Sequence, residues 1–376
     1  MKRISLFLLL FLLLKATVMY SQDGHPETNF RIVPVSPNAA SLGTFGMIPT
    51  DNYVGQANLT IPIYEIDLDG KKFPIALSYH TDGTRVAQEA TWIGLGWTLQ
   101  AGGCVVRQVQ GTDDFAARGC YNLTDAPWLT NPRFEVTDQN LEKYMGYFKG
   151  DYDAEPDMFY FNAGGHSGSM YFDVLKNNRQ LNAVPTIQTQ EKVVKMVYNT
   201  SNKTWTMTDL EGYVYSFSTK EITYYFLNTI DFFQTDITRS HIFPYYNEPQ
   251  IVTAWMLDSV TSPNGGKITF SYKKESIFTP ISTTEDVISL SKIVNGQLSS
   301  QSPQYFTNKF NYNYSYSKIE QWTLSAITFE GGKVEFGTTD REDIESAETG
   351  KKVQKLSSIK VSDTAGNLIK TTMLEY

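Results

Sequence analysis

Asp151, Asp153, Glu155 and Asp157 form the densest run of chemistry-capable side chains in this sequence, carboxylates at a spacing of two. On a strand that spacing puts all of them on one face, where like charges repel unless a cation or solvent screens them. Hard oxygen ligands suit calcium, but the run lacks the central glycine and closing glutamate of an EF-hand loop. A solvated acidic loop before a strand explains it with less machinery, so no cofactor is expected and calcium stands as the alternative. The same groups could serve as the acid and base of a glycoside hydrolase, which needs two carboxyls either about 5 Å or about 6.5–9.5 Å apart. β-Proteins carry such pairs by chance, and an enzyme is not expected.

The other reactive residues are scattered. Gly165-His166-Ser167-Gly168-Ser169 has the ingredients of a nucleophile elbow, yet the second glycine is misplaced and no strand-to-helix unit surrounds it, so a hairpin turn is expected. His25, His80, His166 and His241 show no paired zinc spacing. Gly94-Leu95-Gly96 lacks the third glycine and following helix of a dinucleotide site. Cys104 and Cys120 are the only cysteines; they pair as a disulfide or stay as two buried thiols. Export would permit the bridge, worth roughly 3 kcal/mol by the chain-entropy model.

What remains is architecture. Pro74 to Gly103 opens as an alternating strand, passes Asp82-Gly83, and closes on Trp92 and Trp97 bracketing Gly94 and Gly96, followed by Gly102-Gly103. Glycines there permit backbone paths that a side chain would block, and each indole can bury on the order of 150–250 Å². A packed corner is expected; an aromatic platform for a sugar ring is the alternative. Ala57 to Leu68 alternates, and Asp69-Gly70 supplies the turn of a hairpin into Phe73 to Tyr79. Gly111 to Lys149 is irregular, with a short helix expected around Gln139 to Tyr147.

The C-terminal half echoes itself. Trp255 to Thr261 precedes Gly265-Gly266-Lys267, Trp322 to Thr328 precedes Gly331-Gly332-Lys333, and Leu356 to Ile359 with Gly366 gives a looser copy. Each reads as strand, glycine turn and return strand, so hairpins laid side by side are expected. Phe310, Tyr312, Tyr314 and Tyr316 fall on one face of a further strand. Helix-period patterns are scarce, and the fold class predicted is all-β: antiparallel hairpins and sandwich-like layers, shell-type repeats in the C-terminal half, little helix.

Met1 to about Ser21 carries Lys2 and Arg3, an apolar run from Leu6 to Leu14 and a small residue at its end, the layout of a secretory signal peptide. The run is shorter than the roughly 20 residues a membrane span needs, and no later segment is long and apolar enough, so a product beyond the inner membrane is expected. Losing Lys2, Arg3 and Lys15 deepens a net charge that is already −8, which argues against nucleic acid as a partner. The expected organisation is a signal peptide at 1–21, an extended arm at 22–48, a β module at 49–175 and a repeated-hairpin module at 176–376.

Ser78-Tyr79-His80, Gln88-Glu89, the Trp92–Trp97 block and Ala101-Gly102-Gly103 resemble the N-terminal region of secreted Rhs/YD-repeat proteins, especially the Bacteroidetes type. More distantly they are similar to the start of toxin-complex B components and of SpvB-type virulence proteins. Ser36 to Gly43, Glu155 to Asn162 and Gly168 fit the same pattern, which covers roughly Ser36 to Asp173. The resemblance implies a β-shell in which these residues are structural, and a polypeptide partner, either an Rhs/YD continuation or its cargo. The sequence stops at Tyr376 without the long repeat array or toxin tail, as the leading module of a longer or split system, or a remnant acting alone, would. A glycan-binding or adhesin module is the alternative reading.

Overall fold

Alternating apolar residues become strands here, and the glycine pairs become their turns. The computed structural model describes residues 33–45, 58–80, 88–111, 113–116, 119–120, 141, 145, 153, 155–172, 185–187, 194–231, 250–289, 293–294, 297–298 and 308–375. The expected signal peptide lies outside them. Of the helix expected around Gln139 to Tyr147, Leu141 and Met145 are described, both helical and exposed. Strand accounts for 64% of the structure and helix for 4%, an all-β fold of antiparallel sheets.

The chain divides into two compact units: Met1–Ile32 with Gln110–Pro156, and Val33–Val109 with Asp157–Tyr376. The division does not follow the expected boundary at 175/176. Strands from both sides of that point hydrogen-bond in one sheet, so they cannot form separate bodies.

In the second unit a helix, α1 (Pro37–Phe45), precedes β1 (Asn58–Leu68), β2 (Lys71–His80) and β3 (Trp97–Gln100). These strands form a sheet of order β1-β2-β3. The 22–48 segment is therefore not an extended arm throughout. Ser36 caps the helix, its hydroxyl accepting Ala39 N–H at 3.1 Å, and Pro37 occupies the first helical position, where a missing N–H costs nothing.

The large sheet contains β4 (Gly103–Gln108), β5 (Met158–Ala163), β6 (His166–Tyr171), β7 (Thr186–Ile187), β8 (Val194–Asn199), β9 (Thr204–Asp209), β10 (Val214–Asp231), β11 (Gln250–Thr261) and β12 (Lys267–Phe278). It continues with β13 (Ser282–Ser289), then, after the small β14 (Ile293–Val294) and β15 (Gln297–Leu298) pair, β16 (Asn308–Phe329), β17 (Gly332–Asp340), β18 (Gln354–Ser362) and β19 (Leu368–Met373). Its order is β19-β18-β17-β16-β10-β11-β4-β5-β6-β7, with β12 bridging β11 and β16, β13 on β16, and β8-β9 joined to β10.

The echoed segments are hairpins and they lie side by side as expected, β11–β12 joined to β16–β17 through β12 and β16, and β16–β17 joined to β18–β19 through β17 and β18. β12 stays with β11 only from Ser259↔Thr269 to Thr261↔Lys267, then runs along β16 from Thr269↔Thr328 to Phe278↔Lys318. The 22-residue β16 is long enough to serve β10, β12, β13 and β17 in turn.

The three-stranded sheet packs on the large one. Tyr64 lies 6.1 Å from Phe329 between ring centroids, and Phe73 lies 6.4 Å from both Tyr213 and Tyr215. A second core gathers Phe159, Phe172, Tyr198, Trp205 and Trp255; the Trp205 ring is 4.8 Å from Tyr198 and meets Trp255 edge-on at 6.1 Å. Ring pairs in these geometries add to the area they bury.

Candidate functional site

Thr91 organises the glycine corner. Its hydroxyl accepts Ile93 N–H at 3.3 Å and donates toward the carbonyls of Gly94 (3.0 Å) and Trp97 (2.9 Å). Gly94 N–H returns to Thr91 O at 3.1 Å, and Gly94 and Gly96 sit at φ 128° and 75°, in the region that penalises a Cβ. The turn thereby throws Trp92 and Trp97 into different surroundings. Trp92 is buried, its ring 6.4 Å from Phe336, while Trp97 is half-buried against Tyr79 at 5.2 Å.

Distant segments hold this corner through its backbone. Trp92 N–H donates to Asn38 Oδ1 at 2.9 Å, and Trp92 O accepts Leu356 N–H at 2.8 Å. Arg341, 5% exposed and paired with Asp343, donates to the carbonyls of Ala90 (3.2 Å) and Thr91 (3.3 Å). Gly102 and Gly103 then lead into β4, and at Gly103 the approach is absolute: a Cβ there would sit 2.4 Å from Asn162 O. α1, β3 and the β17–β18 region thus meet at a turn that buries Trp92 and Ile93 and leaves Leu95 exposed.

Titratable groups converge where hairpin turns meet. Lys71, leaving the β1–β2 turn, reaches Asp209 Oδ2 at 2.5 Å and Glu211 at 3.0 Å on the β9–β10 turn. Tyr215 OH donates to Asp209 at 3.1 Å, Tyr213 OH donates to Leu68 O at 3.0 Å, and the Ser262 hydroxyl on the β11–β12 turn donates to Asp69. The β5–β6 turn, Gly164-Gly165, presses on Tyr215 and places His166 Nε2 3.8 Å from Asp209.

Burial by itself would lower the Lys71 pKa, but Asp209 and Glu211 outweigh it and hold the group above its ordinary value. Burial likewise would raise Asp209, and its bonds from Lys71 and Tyr213 N–H outweigh that and hold it below the usual carboxylate value. Burial, then the Lys71 charge, keeps His166 low. These directions fix a charged lysine and a charged carboxylate against each other, which suits a clasp between hairpins. A nucleophilic lysine or a general base needs the opposite directions.

The acidic run is not one face of a strand, because β5 begins only at Met158. Asp157 is fully buried and pairs with Arg107, itself 2% exposed, whose Nε donates at 2.8 Å and whose guanidinium lies 5.7 Å from the Phe159 ring centre. In the first unit Asp153 is buried and accepts Glu155 N–H at 3.0 Å, while Glu155 is exposed; Asp151 lies outside the described residues. Among the described residues no set of three or more His, Cys, Asp or Glu side chains is placed to hold a metal. Cys104 carries a free thiol, wholly buried among Ala39, Val106, Ala254 and Met256. Cys120 is also buried.

Of the aromatics expected on β16, Tyr316 is buried and stacks on Phe226 at 4.8 Å and 18°; the side chains of Phe310, Tyr312 and Tyr314 lie outside the described residues, as do His25, His241 and the side chain of His80. The sequence reading missed the helix-capping role of Ser36, and Arg107 altogether. The Ser-Pro-Asn-Ala-Ala order is a cap-and-first-turn signal that was available for Ser36; Arg107 has no local signal.

The exposed large apolar side chains include a group on β19: Leu368, Ile369 and Met373 at 64%, 55% and 66% exposure. Among the described residues β19 pairs only with β18. Leu59 and Ile61 on β1, an edge of the small sheet, are 52% and 42% exposed.

No family model and no curated protein matches the chain. Among solved structures it is distantly similar to a TcdB2–TccC3–Cdc42 crystal structure (10% identity, TM-score 0.39, 86% of this chain and 14% of that one). It is also similar to the Photorhabdus luminescens Tc holotoxin pore (9%, 0.38, 92% and 14%). The N-terminal domain of the effector SpvB from Salmonella typhimurium shows 11% identity and a TM-score of 0.32 over 85% of this chain and 98% of that one. The chain spans about one seventh of the length of the first two.

Proposed function

We propose that this chain is an exported, non-enzymatic β scaffold that contacts another polypeptide by taking a strand of it onto its sheet. The observation that carries this reading is β19, a six-residue strand with large apolar side chains at 55–66% exposure and hydrogen bonds to β18 alone among the described residues. Natural edges are blunted by charge, proline or bulges, because an open edge is a template for another chain. β19 has one lysine, whose Nζ is spent on Ile63 O at 2.8 Å, and a bulge at Ile369, which leaves Lys370 to Met373 as its regular edge. An extended partner with apolar residues on alternate positions would satisfy the edge and cover Leu368, Ile369 and Met373 together. Shell building, as the sequence resemblance implies, uses the same strand-on-strand chemistry. Export rests on the leader at 1–21, and among the described residues no helix is long and apolar enough to cross a membrane.

The test is affinity capture of the mature chain from its producing culture, with cross-linking mass spectrometry. A polypeptide cross-linked at Lys370 is expected, and Ile369→Lys with Met373→Lys should abolish its capture while circular dichroism stays unchanged. Capture of an oligosaccharide alone, or of a polypeptide indifferent to both substitutions, refutes the reading.

A further inference from the structure

Two acids stand in the core with no part in the clasp or the β19 edge. Glu221 on β10 is 0% exposed and Glu275 on β12 is 7% exposed. Both are wired to the start of α1. Glu221 Oε1 accepts Ser36 N–H at 2.8 Å and the Thr253 hydroxyl at 3.0 Å; the Thr223 hydroxyl beside them donates to Pro34 O at 3.0 Å. Glu275 Oε2 accepts Gln321 Nε2 at 3.4 Å, and Gln321 Oε1 accepts Asn38 Nδ2 at 3.4 Å. Asn38 in turn receives the Trp92 N–H. Among the described residues Glu221 Oε2 and Glu275 Oε1 meet no hydrogen-bond donor.

The charge around each acid is sparse. Glu221 faces hydroxyls from β10 and β11, the Ser36 end of α1, and from β4 the buried Cys104 thiol. Glu275 faces Gln321 on β16, the Gln354 backbone N–H on β18, its own strand's Lys273, and Arg341, which is already paired with Asp343. A carboxylate left with one bare oxygen in such a site is strongly disfavoured against its neutral acid. Burial is also the largest influence on both groups, and it raises both.

From this arrangement we infer that α1 is a proton-set latch: it grips the sheet when Glu221 and Glu275 are neutral and loosens when they ionise. When α1 lifts, water reaches the carboxyls and they regain ordinary acid strength, so the docked state binds protons more tightly than the open one. Docking is therefore strongest at and below the ordinary carboxyl value of 4.5, and weakens as pH climbs from there to the docked-state value. The limit is about tenfold per pH unit for each acid.

The protein carries its own reporter. Cys104 packs against Ala39 of α1, so its thiol becomes reachable when the helix lifts. The experiment is site-resolved labelling of Cys104 in the mature full-length chain with an uncharged disulfide reagent at pH 5.0 and 7.5. Each rate is divided by that of the unfolded chain at the same pH, which removes the thiol's own titration. Protection should fall at least about tenfold between the two pH values in the wild type. It should stay flat in Glu221→Gln/Glu275→Gln, with higher protection than wild type at pH 7.5. An equal slope in the double variant, or a flat wild-type profile, overturns the latch. Hydrogen exchange at the Ala40 amide, bonded to Ser36 O at 2.8 Å, reads the same opening in the wild type alone should the variant fail to fold, and pH-independent protection there overturns it as well.

Discussion

Trp92→Ala should be the most damaging single change in the glycine corner, and clearly worse than Trp97→Ala. The Trp92 backbone is fixed by Asn38 and Leu356 whatever its side chain, so truncation removes only the indole and its contact with Phe336. An indole burying about 200 Å² at about 25 cal/mol per Å² contributes roughly 5 kcal/mol. The retained Cβ and partial collapse reduce the loss to about 4 kcal/mol, inside the roughly 3–5 kcal/mol range for large aromatic truncations. Trp97, half-buried on Tyr79, should lose about 2 kcal/mol. With a urea dependence near ~3 kcal/mol per M, the midpoints fall by about 1.3 M and about 0.7 M. Far-UV circular dichroism is the readout, because fluorescence would lose its own probe. Trp92→Phe should recover about half the loss, and a cycle with Phe336→Leu should give a coupling of about 1 kcal/mol. An equal or larger loss at Trp97, or less than about 1 kcal/mol at Trp92, refutes the assignment of the corner's energy to the buried ring.

Gly103→Ala should cost at least about 2 kcal/mol in the same assay, because its Cβ would lie 2.4 Å from a backbone oxygen that cannot move without breaking the β4–β5 ladder. Arg107→Met takes the guanidinium away from the buried Asp157 carboxylate and should cost roughly 3–5 kcal/mol, with Asp157→Asn added in the same chain returning part of it. Asp209→Asn should cost about 2 kcal/mol near neutral pH. Because the native Asp209 value is depressed, its contribution is complete above the ordinary 3.8 and fades as pH falls through the native value, so wild type and variant should converge in acid unfolding curves. Parallel acid limbs would show that the Lys71 clasp is not what stabilises the hairpin turns.

Local rules made much of the fold readable. Alternation over Leu59 to Leu68 and the Asp69-Gly70 turn specify β1–β2 without help from elsewhere, since Asp69 and Gly70 take φ 52° and 94° and Asp67 caps the turn at 2.8 Å. Partner choice was not readable. Nothing in Lys267 to Phe278 says that it will leave β11 after Thr269 and follow β16, because a strand's period of two names its faces but not its neighbour. The carboxylate run precedes a strand, as its favoured reading expected, but the spacing could not show that Asp153 and Asp157 are buried, because burial depends on what packs over the loop.

By itself, then, the amino-acid order determined the antiparallel all-β class, the hairpin turns and the glycines of the corner, since each follows from backbone preferences a few residues wide. Only the tertiary structure decided that Asp157 belongs to Arg107, Asp209 to Lys71, Cys104 to the underside of α1, and Glu221 to Ser36 across a separation of 185 residues. Those pairings are set by which buried polar group needs a donor once the strands have chosen their neighbours, and that need arises only after water has left the core.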